Sequence, residues 1–180
     1  MSHFREINIK DFNLNPFKLK NKWMLVTAEK DGKVNTMTAS WGGWGIMWNK
    51  EVAFVVIRPQ RYTKEFVDNA DSFSLTFFDD SYKKALSYLG KVSGRDEDKI
   101  AKEGLTIATE DNIPYFKEAH AAIFVKKLFA QPITENSFLD KEIIEKWYPE
   151  KDYHVLYIAE ITKVLKKDSS ILNDIDSYFL

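Results

Sequence analysis

Three segments combine residue types that can hold a flat ring and a phosphate. The first, Asn35-Thr36-Met37-Thr38-Ala39-Ser40-Trp41-Gly42-Gly43, packs small hydroxyl residues into a strand end that opens into glycines. With little side-chain bulk there, a planar ligand can lie against the main chain, whose N–H groups can donate to a ring carbonyl or nitrogen. A Thr/Ser-rich strand with a glycine bulge accounts for the same residues. The second segment, Arg58-Pro59-Gln60-Arg61-Tyr62-Thr63, sets two guanidinium groups before a helix whose first N–H groups lack partners and whose dipole is positive at that end. Guanidinium forks match phosphate geometry and Thr63 adds a hydroxyl, so a phosphate monoester suits this segment. Surface arginines paired with carboxylates, with Thr63 as an ordinary cap, explain it equally well. The third, Leu89-Gly90-Lys91-Val92-Ser93-Gly94-Arg95-Asp96, is a loop carrying glycines, cations and a serine. It either clamps the same anion or the ring edge, or is a solvated helix–helix turn with Asp96 as cap.

Other chemistries are excluded by composition. Cysteine is absent, which removes disulfides, thiolate catalysis, Cys-ligated zinc and iron–sulfur clusters. His3, His120 and His154 are the only imidazoles, and none of their spacings points to a joint metal site. The glycine cluster at 42, 43 and 45 is neither G-x-G-x-x-G nor a P-loop. Lys plus Arg total 26 against 27 Asp plus Glu, so a net charge of −1 supplies no field for nucleic acid or an anionic membrane. No secretory h-region follows Met1–Lys10, and no apolar run approaches ~18 residues, so a cytoplasmic protein is expected.

The elements that must position these segments read as mainly β with short helices. Trp23 to Thr27 suits a pleated surface, Asp31-Gly32 supplies a tight turn, and Lys33 to Ser40 returns, predicting a hairpin. Glu51 to Arg58 is an apolar strand that Pro59 ends. A helix is expected over about 64–69, a strand over 72–78, and a helix over about 82–89 that Gly90 breaks. A further helix begins at Asp96-Glu97-Asp98 and runs to Glu103. Strands follow over 105–108 and 121–130, then a helix over 137–147 with Leu139, Ile143, Ile144 and Trp147 on one face, then a strand over 154–165. Six or seven strands without a strand–helix–strand rhythm predict an antiparallel β-barrel. At 180 residues one domain suffices, because such a chain buries about 70% of its unfolded surface. Residues 1–13 read as an arm and 167–180 as a tail. Five Trp and 13 Phe exceed what one small barrel packs, and Trp41, Trp44, Ile46, Met47 and Trp48 crowd one segment, so a second chain is expected to cover part of them.

Taken together, Asn35 to Gly43, Arg58-Pro59-x-Arg61-x-Thr63, Ser93-Gly94 with Asp96 and Lys99, and His154-Val-Leu-Tyr-Ile-Ala-Glu-Ile161 resemble the flavin reductase-like FMN-binding split-barrel family, with flavoredoxin-like members nearest. The resemblance runs from about Leu14 to Lys166. It implies a Greek-key split β-barrel, a homodimer, and FMN near the dimer interface. Position by position, it implies that Thr38, Ala39, Ser40 and Trp41 meet the isoalloxazine, with Asn35 and Thr36 at its edge. Arg58, Arg61, Tyr62 and Thr63 would hold the phosphate, and Lys91, Ser93 and Gly94 would close over it. For His154 it implies only proximity to the site, and an ordinary half-buried strand residue is an equal reading. The activity implied is an NAD(P)H-dependent flavin or ferric reductase passing a hydride to flavin N5, with NADH or NADPH as reductant. A flavoredoxin-type carrier reduced by a partner protein, and a barrel that binds without turnover, are the alternatives.

Overall fold

The computed structural model describes residues 3–168. Among the described residues ten strands form: β1 (Phe4–Ile7), β2 (Met24–Lys30), β3 (Lys33–Ala39), β4 (Gly42–Met47), β5 (Lys50–Ile57), β6 (Ser72–Phe77), β7 (Ile107–Glu110), β8 (Ile113–Phe116), β9 (Ala121–Pro132) and β10 (Val155–Lys167). Short helices interrupt them: α1 (Leu19–Lys22), α2 (Tyr62–Asn69), α3 (Lys83–Lys91), α4 (Lys99–Lys102) and α5 (Glu142–Trp147). Eight strands make one antiparallel sheet in the order β3-β2-β6-β9-β10-β5-β4, with β1 added along β10, and β7-β8 form a separate hairpin.

The order dictates the shape. β3 and β4 stand at opposite ends of this path, yet Ala39 and Gly42 are three residues apart and can be separated by at most about 11 Å. The sheet must curl until its two edges meet at Ser40-Trp41. No ladder joins those edges, so the barrel is split there. Inside it lie Val26, Ile57, Phe66, Phe73, Phe77, Ile123, Val125 and Tyr157, all almost fully buried. β10 contributes Val155, Tyr157, Ala159 and Ile161 to this core at the period of two that its sequence shows. α2 buries Thr63, Phe66 and Val67 against β2. α3 lies along β3, with Leu86 and Leu89 in a second cluster around Leu25 and Phe116.

Asp31 and Gly32, at φ 53° and 77°, make the expected β2–β3 turn. Several expectations need correction. α3 continues through Gly90 to Lys91, because Gly90 packs against Thr38 of β3, where a larger residue would crowd it. α4 starts only at Lys99, with Asp98 accepting from Ala101 N–H as its cap, so Asp96 and Glu97 precede the helix. The strand expected at 105–108 spans Ile107–Glu110. Residues 137–147 are not one helix: a 3-10 turn at Glu135–Ser137 precedes the six residues of α5, none of which is buried. The glycine cluster at 42–45 is itself a strand, β4; β8 has no counterpart among the expected elements; and the first arm residues pair with β10 as β1. The tail beyond Asp168 lies outside the described residues.

Candidate functional site

The split holds a cavity of about 300 Å³. The end of β3 and the residues after it form one wall with Met37, Thr38, Ala39, Ser40 and Trp41. Val56 and Arg58 from the end of β5, Arg61, Trp147 and His154 complete it. Ser40 and Trp41 lie between two ladders, and no backbone hydrogen bond uses their N–H groups among the described residues. The Thr38 hydroxyl donates to Leu86 O and so ties β3 to α3. Trp147 meets Trp41 edge-on with centroids 5.1 Å apart, and Trp41 lies 5.1 Å from the His154 ring. The cavity is a slot walled by main chain and flat side chains, which suits a planar heteroaromatic ring.

A second basin of about 180 Å³ opens beside it, and Met37 and Arg61 line both. Its remaining walls include Asn35, Gln60, Tyr62, Thr63, Lys91, Ser93 and Lys99. Arg61 donates to Gly90 O at 2.7 Å, and burial lowers its pKa from the usual arginine value. Lys99 is 3% exposed and donates to Leu89 O and Val92 O at 2.7 and 2.8 Å, capping the carbonyl end of α3. Burial, and then the charge of Arg61, push Lys99 down to about 8. Among the described residues no carboxylate pairs with either cation. A half-buried Arg61 beside a buried Lys99 concentrates positive charge that an anion would relieve. Thr63, which accepts from Asn35 Nδ2 at 2.9 Å, keeps its own hydroxyl hydrogen available to the same basin.

The structure divides the sequence candidates. Thr38, Ala39, Ser40, Trp41 and His154 line the ring cavity, while Asn35, Tyr62, Thr63, Lys91 and Ser93 line the anion basin beside Arg61. Thr36 is fully buried with its hydroxyl on Thr27 and Val26 O; on β3 it shares the face of Val34 and Thr38, toward α3 and the second cluster and opposite the core residue Met37, and it lines neither space. Arg58, expected at the phosphate, faces the ring cavity and is held by Asp152 and Trp147 O. Gly94 backs the basin from outside: a Cβ there would lie 2.1 Å from Asn35 Oδ1, so only glycine lets Asn35 stand where it binds Thr63. Lys99 belongs to the motif that carries the resemblance but receives no binding role in the sequence reading, because a lysine directly after Asp96-Glu97-Asp98 is indistinguishable there from a surface charge near three acids. In the fold Asp98 caps α4, and Lys99 turns inward beneath the end of α3. Met37 and Trp147 are lining residues that the sequence reading misses, the latter because α5 reaches the cavity only through the folded chain.

A split barrel with a ring-sized slot beside a cationic basin, the two sharing Met37 and Arg61 as walls, is the architecture of the site. A flavin reductase like domain profile matches residues 18–178, and the chain belongs to that family, the flavin reductase-like FMN-binding domains. Among solved structures it is similar to an FMN-binding domain of flavin reductases-like enzyme from Shewanella baltica OS155, at 16% identity and TM-score 0.70 over 96% of this chain and 81% of that one. The flavoredoxin of Desulfovibrio vulgaris (Miyazaki F) matches at 22% identity and TM-score 0.67, over 97% of this chain and 85% of its own. The styrene monooxygenase flavin reductase of Pseudomonas putida S12 matches at 16% and 0.59, over 79% and 78%. No curated protein sequence matches the chain. Among the described residues no helix is long and apolar enough to cross a membrane, and no group of three or more His, Cys, Asp or Glu side chains forms a metal site.

Proposed function

We propose that the chain is an FMN-dependent oxidoreductase that takes a hydride from NADH or NADPH. The observation that carries the cofactor half is the half-buried Arg61 beside the buried Lys99, with no carboxylate paired to either among the described residues, in a basin that adjoins the ring slot at Met37 and Arg61. Such a basin suits the phosphate of FMN, and the slot beside it suits the ring. Bound there, FMN supplies hydride chemistry at its N5. The chain supplies position. Arg61, Lys99, Thr63 and Ser93 hold the anion, with Tyr62 and Lys91 at its rim. Thr38, Ala39 and Ser40 give the ring a flat main-chain floor, and Trp41 and Trp147 exclude water from its open side. Free N–H groups of Ser40 and Trp41 offer donors to ring carbonyls.

The reductant is the part that experiment must decide, since the same site serves a carrier reduced by a partner protein, as in flavoredoxin-like members. Protein purified with FMN is yellow, and anaerobic NADH or NADPH should bleach it. Yellow protein that neither nicotinamide bleaches is the carrier, and protein that gains no flavin on titration with FMN sinks both readings. A homodimer in the cytoplasm completes the proposal, the dimer resting on the exposed aromatic side chains Trp48, Phe54 and Phe129.

A further inference from the structure

His154 and Tyr148 form a pair in which the surroundings fix the hydrogen. Tyr148 is 4% exposed, and its hydroxyl lies 2.7 Å from His154 Nδ1. Burial raises the Tyr148 pKa, so the group is a phenol with one hydrogen to donate. Nδ1 is the acceptor within reach. Were Nδ1 itself protonated, it would donate to the phenol oxygen and strand the phenolic hydrogen in a buried place. Donation from Tyr148 leaves Nδ1 with its lone pair, and the one hydrogen of a neutral imidazole then sits on Nε2. Neutrality follows from burial and then from the charge of Arg58, which together push His154 down to about 4 against a smaller opposing pull from Asp152.

Nε2 makes no hydrogen bond within the described chain, yet it is not among the buried unpartnered polar atoms, and His154 lines the ring cavity. That nitrogen reaches the cavity. Trp41 at 5.1 Å and Tyr148, edge-on at 5.5 Å and 83°, hold the plane of the imidazole. Tyr148 is fixed in turn by its N–H on Ile144 O, by the rings of Phe138 and Tyr153, and by Arg58 over its face.

We propose that Tyr148 is a positioning residue that sets His154 as a neutral Nε2–H donor, and that this donor receives a carbonyl oxygen of a planar ring bound in the cavity. This rests on the reading that the cavity takes redox rings. As a neutral imidazole held in one plane, His154 offers a fixed N–H donor that orients the ring. The carbonyl comes either from the flavin's own ring or from a nicotinamide carboxamide.

Protein without flavin, labelled with 15N-histidine, tests the first half. It has three histidines, and His154→Gln identifies the signal of interest. From about pH 5 to 8 the parent should show a protonated-type Nε2 and a lone-pair-type Nδ1, and Tyr148→Phe should average the two nitrogens. An Nδ1–H tautomer in the parent overturns the assignment, whatever the protein's activity. For the second half, His154→Leu should weaken ligand binding about 2- to 10-fold, the range of one neutral hydrogen bond. His154→Gln, whose amide can take the place of Nε2–H, should restore most of it. A loss in the FMN Kd identifies the flavin as source; a loss in KM for NADH at unchanged FMN Kd identifies the nicotinamide. The double variant Tyr148→Phe/His154→Leu should bind no worse than His154→Leu, because Tyr148 acts through His154. Additive losses, or parent-like binding by His154→Leu, overturn the proposal.

Discussion

Arg61 and Lys99 decide what the basin can hold. Hydrogen bonds to charged groups are worth about 1.5–3 kcal/mol, so Arg61→Ala should weaken FMN binding by that much and leave riboflavin, which lacks the phosphate, near its parent value. Flavin fluorescence titration measures both, and equal losses for the two flavins would make Arg61 a structural residue. Lys99 adds a pH dependence. Its folded pKa is depressed to about 8, so above that pH the flavin-free protein loses the charge, and an arriving phosphate must draw a proton back. FMN affinity should fall as pH rises from about 8, with riboflavin affinity flat; a parallel decline for both flavins would assign the titration elsewhere. His154 works in the opposite range. Its folded pKa of about 4 lies below the ordinary value of 6.5, so the unfolded chain binds more protons between them, and stability should drop as pH falls through that window. Thermal melts from about pH 7 to 4 should show part of this loss removed in His154→Gln. The residue types at the anion basin are legible in the sequence because Arg, Thr and Gly cluster along it. Lys99, part of the resembling motif, gains a binding role only in the fold, where it is buried on two carbonyls and, among the described residues, no carboxylate pairs with it.

At the scale of elements, the ring slot is closed by a segment far away in sequence. Arg58, at the end of β5, donates to Asp152 and to Trp147 O and lies 5.1 Å from the Tyr148 ring centre, while Gln60 Nε2 reaches the same Asp152 carboxylate. Gln60, and then Arg58, hold the Asp152 pKa below the usual carboxylate range. This latch keeps the short, unburied α5 in place where no core contact of its own would. Arg58→Ala should therefore raise hydrogen exchange and proteolysis over residues 138–153 with the barrel unchanged, and cost about 1–3 kcal/mol of stability. Exchange spread evenly over all strands would mean that Arg58 supports the barrel itself. The latch explains why α5 is misleading in the sequence. Leu139, Ile143 and Trp147 have a helical spacing that normally marks a face turned to the core, but here Leu139 is 99% exposed and the helix is held by polar contacts instead. β4 escapes sequence reading for a different reason. Its turn to β5 is made by Trp48 and Asn49 at φ 52° and 56°, a conformation expected of Asn-Gly and not of a tryptophan. Where turn chemistry is ordinary, the strand after Asp31-Gly32 and the strand before Pro59 end within a residue of those expected, although β2 runs on to Lys30, three residues past the expected Thr27.

For the whole molecule, the aromatic excess divides between the barrel and its surface. Trp44 packs against Phe12 and Phe77 at the barrel core, so it leaves the set expected to need a partner. What remains outside forms a row across the sheet: Phe54 on β5 and Phe129 on β9 both pair with Ile158 of β10, Trp48 lies 6.2 Å from Phe129, and Met47 extends the row on β4. Trp48 is 52% and Phe54 43% exposed, and Phe54 pairs with Gly43, next but one to Trp41 at the split, where the ring slot opens. Contiguous aromatic surface of this kind on a folded chain marks an interface. A second copy meeting it about a two-fold axis would bury the same row on both subunits and close the open side of each slot. Dimer formation and flavin retention are then linked, because whatever stabilises the closed slot also stabilises bound FMN. Sedimentation of the parent should give a dimer that releases FMN on dilution, and Trp48→Asp or Phe54→Asp should give a folded monomer with weakened FMN binding and an undisturbed anion basin. A parent that sediments as a monomer while holding FMN at every concentration would show that one chain completes the site and that the aromatic row serves some other contact.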